Sequence, residues 1–199
     1  AGYWPAAQEK AREAVARSGL VPVAPNASLT LADLLPRDAA ASPLQEALTS
    51  QPLPGGASLT IVEDVTGSGK TEAALMLAAR LIGAGQASGI YFALPTMATA
   101  DAMYHRMSGA YRKLFDAAAR PSLVLAHGRR NLNDGFQGSI QLSESRASPS
   151  SGNYPDESSV VCAGWLADDR RKTFLAHVGV GTIDQALLGV LPSKYQSLR

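Results

Sequence analysis

Ile61-Val-Glu-Asp-Val-Thr-Gly-Ser-Gly-Lys-Thr-Glu72 reads as a short apolar strand, a glycine-rich turn and the first residues of a helix. That order suits the grip on a nucleotide's phosphates. Glycines let the loop wrap tightly, so that backbone N–H groups converge on the β-phosphate. The N-terminus of the following helix adds partial positive charge. Lys70 supplies a mobile ammonium for the β- and γ-phosphates, and the Thr71 hydroxyl suits Mg²⁺. The phosphate loop is therefore Thr66, Gly67, Ser68, Gly69, Lys70 and Thr71, with ATP and Mg²⁺ as the expected ligands. One residue departs from the usual G-x-x-x-x-G-K-[ST] pattern: Asp64 stands where the first glycine belongs. The plain alternative is an ordinary Gly/Ser turn, which the strand-turn-helix context disfavours.

Working outward, a helix over 72–81 closes at Gly83 and Gly85, and Gly89-Ile-Tyr-Phe-Ala-Leu-Pro95 is a continuous apolar run of strand length. Such runs suit the interior of a parallel sheet. Strand, helix and strand make a βαβ unit with a right-handed crossover. Thr96 is placed to cap a second helix running to about Arg120, whose core face is Met103, Met107, Tyr111, Leu114 and Phe115. Ser122 to Ala126 is a third strand ending in His127-Gly128. Ala176 to Val180 is a fourth, followed by a tight turn at Gly181-Thr182 into a helix carrying Asp184.

Upstream, 5–18 reads as a polar Ala-rich helix and 20–36, with three prolines, as an extended connector, so that 1–40 leads into a domain over 41–199. Pro43 opens a short helix capped by Ser42. Gln45 on it is either a surface glutamine or an adenine reader, since a carboxamide carries both a donor and an acceptor. The stretch 137–159, rich in Ser, Asn, Gly and Pro, reads as a long flexible loop. Its Asp156-Glu157 follows no strand and is not a metal-binding pair. Val160 to Leu175 reads as largely helical.

Composition narrows the partners. The net charge of +1 rules out a strongly basic surface, so any nucleic-acid contact rests on local geometry. A single cysteine, Cys162, excludes an internal disulfide framework and fits a reducing, cytoplasmic setting. Cysteine and histidine show no zinc-ligand spacing. The longest apolar run, 73–79, is too short to span a bilayer. The polar first segment lacks the core of a signal peptide, and a start at Ala1 suggests a piece of something longer.

In an open parallel α/β sheet, ligands bind at the carboxyl ends of the strands. The ordered set of Gln, phosphate loop, Pro-Thr, His-Gly and Gly-Thr resembles the first RecA-like lobe of superfamily 2 helicases. Three phrases, Glu63 to Leu75, Tyr91 to Ala100 and Val180 to Leu188, are similar to one branch, the CRISPR-associated helicase–nucleases of type I systems. The resemblance spans about residues 40–199. It implies a P-loop NTPase fold: a three-layer αβα lobe with a mostly parallel sheet, incomplete here. It makes Gln45 the adenine reader, Lys70 and Thr71 the residues of catalysis, and Thr71 the metal ligand. Pro95, Thr96, His127, Gly128, Gly181, Thr182 and Asp184 become contacts to single-stranded DNA. An RNA-guided surveillance complex, the remaining helicase lobe and an HD nuclease domain are the implied partners. The family's Asp-Glu-x-His motif belongs just beyond Arg199, so the chain alone is expected to be incomplete for ATP turnover. Two other readings stay in view: a P-loop kinase of small molecules, and a non-catalytic nucleic-acid-binding module, for which Asp64 speaks.

Overall fold

The computed structural model describes residues 2–17, 21–36, 38–126 and 170–190. His127, Gly128, the expected loop 137–159 and the expected helix through Trp165 lie outside the described residues. The described residues form two compact units. One comprises Ala24–Ser88 with Arg112–Ala119 and holds the phosphate loop; the other comprises Ala1–Val23, Gly89–Tyr111 and Arg120–Arg199 and holds the sheet.

In the loop unit, helix α2 (Leu31–Leu34) starts at a capping box in which Thr30 N–H donates to Asp33 at 2.8 Å. Helix α3 (Pro43–Ser50) has Pro43 in its first turn and Ser42 as N-cap. Helix α4 (Lys70–Gly83) buries Ala73, Leu75, Met76 and Ile82 and packs against α3. Arg80, in the last turn of α4, donates to the Leu48 and Gln51 carbonyls at 2.7 and 2.6 Å, which satisfies backbone acceptors at the end of α3. Residues read as a connector are integrated here: Pro25 bridges Phe115, and Lys113 donates to the Asp33 carbonyl at 2.7 Å.

In the sheet unit, strands β1 (Ile90–Leu94), β2 (Leu123–Ala126) and β3 (Val178–Thr182) are all parallel, in the order β1-β3-β2. Every residue of β2 and β3 is buried, as the apolar runs required. Helix α1 (Tyr3–Arg17) belongs to the same unit. Helix α5 (Met97–Ser108) touches all three strands and buries Ala100, Tyr104 and Met107, one helical face. A 3₁₀ turn, Tyr111–Leu114, follows it. A second, Arg170–Leu175, precedes β3, and helix α6 (Ile183–Val190) leaves β3 directly. At the start of the sheet, Ser122 N–H donates to His177 Nδ1 at 3.1 Å. That bond makes Nδ1 the acceptor and assigns the ring proton to Nε2, which donates to the Val21 carbonyl at 2.9 Å.

The parallel α/β class is as expected, with three differences of detail. The stretch before the phosphate loop is not a strand: Leu59, Ile61 and Val65 are 87%, 75% and 73% exposed. A strand exists only through its ladder, and no described strand pairs with this one. The helix expected to reach Arg120 ends at Ser108, because the chain turns at Gly109 to bury Tyr111, Leu114 and Phe115. Gly181 and Thr182 are the last residues of β3 and not a turn, since they pair with β1 at Ala93 and Leu94.

Candidate nucleotide and nucleic-acid sites

The phosphate loop is built on two left-handed glycines. Gly67 has φ of +86° and Gly69, the N-cap of α4, has φ of +85°. Side chains rarely adopt this conformation, so the sequence needs glycine at both positions. A Cβ on Gly67 would meet nothing within 4 Å, leaving its backbone open to a ligand. Gly69 is different: a Cβ there would collide with the Gln45 carboxamide. Lys70 Nζ turns back into the loop and donates to the Asp64 and Val65 carbonyls at 2.8 and 2.6 Å. An ammonium held among neutral carbonyls is placed to exchange them for phosphate oxygens, which bind it more strongly. The first turn of α4 follows, bringing Thr71 and the helix dipole to the same point. Thr66 and Gly67 are exposed, while Ser68 Oγ is buried without a hydrogen-bond partner.

Asp64 engages one oxygen of its carboxylate locally. Its Oδ1 accepts the Val65 N–H at 2.7 Å, a local turn bond that satisfies part of its charge.

Gln45 is 3% exposed and sits in the same unit. Its Oε1 accepts the Ser42 N–H at 2.9 Å, and its Nε2 donates to the Gly69 carbonyl at 3.1 Å. Ser42 Oγ in turn lies 3.0 Å from the Ser68 carbonyl, which it reaches as donor. The capping box of α3 therefore holds the loop from behind. An adenine reader has to offer its donor and acceptor outward, and in this arrangement both are turned to the protein. Sequence reasoning had Ser42 as a cap only; the Ser-x-x-Gln spacing was the available signal, but the contacts it makes 24–26 residues away are tertiary.

The second group of residues lies on the sheet unit. Because Leu94 pairs with Thr182 and Ala126 with Gly181, the three strands end within one residue of one another. Pro95, Thr96, Thr182 and Asp184 thus leave one edge of the sheet, the carboxyl edge. Pro95 and Thr96 are exposed. Thr96 caps α5, its Oγ1 accepting the Thr99 N–H at 3.2 Å. Helix geometry leaves the amides of Met97 and Ala98 without intrahelical acceptors, which is an anion-facing arrangement. Gly181 and Thr182 are buried, Thr182 at 9% exposure, whereas Asp184 is exposed in the first turn of α6. His127 and Gly128 lie outside the described residues.

Among the described residues there is no group of three His, Cys, Asp or Glu able to hold a metal ion, and no helix long and apolar enough to cross a membrane.

No family model matches the chain. The CRISPR-associated endonuclease/helicase Cas3 of Escherichia coli (strain K12) is 46% identical over 147 residues, 74% of this chain and 16% of that protein. Its counterpart from Thermus thermophilus is 36% identical over 200 residues, 99% of this chain and 21% of that protein. Among solved structures, T. fusca Cas3 superposes with a TM-score of 0.71 at 30% identity, covering 96% of this chain and 19% of that one. T. fusca Cas3-AMPPNP gives 0.75 at 29% identity, covering 98% and 20%. The chain thus spans no more than 21% of the curated relatives named here.

Proposed function

The chain belongs to the Cas3 family of CRISPR-associated helicase–nucleases over the stretch it spans, and from that premise we propose that it is the ATP-gripping and DNA-contacting portion of such a helicase. The observation that carries this reading is the loop itself: two left-handed glycines at a helix start, with Lys70 folded into the space a phosphate would take. The AMPPNP- and ATP-bound relatives support a nucleotide there. Gly67 to Thr71 would hold the phosphates, Lys70 would neutralise them, and Thr71 would ligate Mg²⁺. Bound ATP would supply the energy of hydrolysis to the parent enzyme. Gln45 would read adenine by giving up both its bonds, Oε1 to the Ser42 N–H and Nε2 to the Gly69 carbonyl, for the base, which links base recognition to the loop's backbone.

The carboxyl edge of the sheet would contact the other ligand. Pro95, Thr96 and the first amides of α5 would hold one phosphate of single-stranded DNA, and Thr182, Asp184, His127 and Gly128 would line its continuation. With so small a net charge, this interface relies on oriented backbone amides and hydroxyls more than on lysines. The parent enzyme would translocate along a displaced strand, recruited by an RNA-guided surveillance complex, with its second helicase lobe and HD nuclease domain.

Calorimetric titration with AMPPNP and Mg²⁺, alongside anisotropy of a labelled single-stranded oligonucleotide, tests the proposal. Saturable nucleotide binding and a preference for single strands over duplex are expected. Absence of saturable nucleotide binding at millimolar concentration overturns it.

A further inference from the structure

Tyr91 is a half-buried residue, with a buried hydroxyl, that neither site uses. It stands on β1 in register with Gly179, and its ring stacks on Phe174 at 4.6 Å and 29°. Strand β3 reads Val178-Gly-Val-Gly-Thr182, so its two glycines share one face. A Cβ on Gly179 would come within 2.6 Å of Tyr91 Cδ2. One on Gly181 would collide with both Tyr91 Oη and the Ala126 carbonyl oxygen. The glycines are thus a bed for the tyrosine ring, laid along β3 toward the carboxyl edge. Neither has positive φ, so space and not backbone freedom is what they provide.

The hydroxyl ends over Gly181, beside the Ala126 carbonyl, buried and without a hydrogen-bond partner. Phenylalanine would fill the same bed and leave no donor unpaired, so the hydroxyl needs an explanation. Burial pushes the phenol up to about 12, which keeps it a protonated donor at neutral pH. Because Oη and the Ala126 oxygen converge on the point a Gly181 Cβ would occupy, a small shift of either strand end brings them into bonding range.

We propose that Tyr91 is a positioning residue of the carboxyl edge: when single-stranded DNA binds there, its hydroxyl donates to the Ala126 carbonyl across Gly181, tying the ends of β1 and β2 over β3. The tie fixes where Thr182 leaves the sheet and where the chain after Ala126 begins. The proposal rests on the nucleic-acid reading of this edge.

The test compares the 199-residue chain with Tyr91→Phe and Thr96→Asp. Aspartate preserves the cap of α5 but sets a carboxylate where a phosphate would sit. Three quantities are read: anisotropy of a labelled single-stranded oligonucleotide, AMPPNP affinity, and thermal midpoint. Tyr91→Phe is expected to weaken DNA binding about fivefold, with nucleotide affinity unchanged and the midpoint equal or higher. Unchanged DNA affinity in Tyr91→Phe, with Thr96→Asp impaired, overturns the tie while leaving the edge assignment standing. A midpoint that falls along with DNA affinity assigns the hydroxyl to stability alone and also overturns it. Wild-type chain that does not bind the oligonucleotide, or Thr96→Asp that binds it normally, removes the edge assignment and the tie together.

Discussion

Gly67 and Gly69 look alike in sequence, two glycines of one loop, yet they differ in what surrounds them. Both occupy the left-handed region, where an alanine costs about 1 kcal/mol or more. Only Gly69 also has the Gln45 carboxamide against it, and a Cβ there would break the bond from Nε2 to the Gly69 carbonyl, a further loss of about 1 kcal/mol. Urea unfolding should therefore show Gly69→Ala as the less stable variant, and equal midpoints would contradict the contact. Asp64 supplies a second residue-scale prediction. One of its carboxylate oxygens accepts the Val65 N–H, an acceptor role that asparagine keeps. Asp64→Asn should bind AMPPNP within about threefold of wild type, a difference below 1 kcal/mol. A sharp gain in affinity would instead mean that the charge opposes the phosphates.

Elements meet through a few polar anchors, and Arg80 is the clearest. It closes α3 by donating to two of that helix's end carbonyls, while sitting near the end of its own helix where positive charge is favoured. Arg80→Ala should lower stability by about 1–2 kcal/mol, discounted for partial exposure. Arg80→Lys should restore only part, because an ammonium lacks the guanidinium's fork. Chemical denaturation reads both. Against this background, the sequence revealed best what depends on neighbours in the chain. The left-handed glycines before Lys70, the Thr96 cap and the apolar run of β2 follow from local chemistry, whereas β1, expected in the sheet interior, is only half-buried with Ala93 exposed. The strand expected at 61–65 failed because a strand's existence depends on a partner elsewhere. The end of α5 was missed because Gly109 yields to the burial of Tyr111 and Phe115, a tertiary demand. Gly181 read as a turn residue because its alternation with Gly179 acquires meaning only once Tyr91 lies opposite.

At the scale of the molecule, polar bonds between distant stretches organise each unit from within. In the sheet unit, His177 joins Ser122 and Val21, residues 55 and 156 positions away. His177→Phe keeps bulk but leaves a buried N–H and a carbonyl unpaired, and should cost about 2–4 kcal/mol. Unfolding monitored by far-UV circular dichroism checks this, and a loss under about 0.5 kcal/mol would deny the network its role. The two proposed sites divide in the same way, the phosphate loop in one unit and the carboxyl edge in the other. The loop's left-handed glycines and the helix start at Lys70 were legible in the sequence, whereas the inward turn of Gln45 was not, because its partner Gly69 becomes a neighbour only on folding. Everything proposed for the loop unit depends on Lys70 and its loop gripping a nucleoside triphosphate. Titration of a fluorescent ATP analogue with Mg²⁺ into wild-type and Lys70→Ala chains tests it most directly. Loss of the charge-assisted contacts should weaken binding at least about tenfold, or 1.4 kcal/mol, and equal affinity in the two proteins would contradict the assignment.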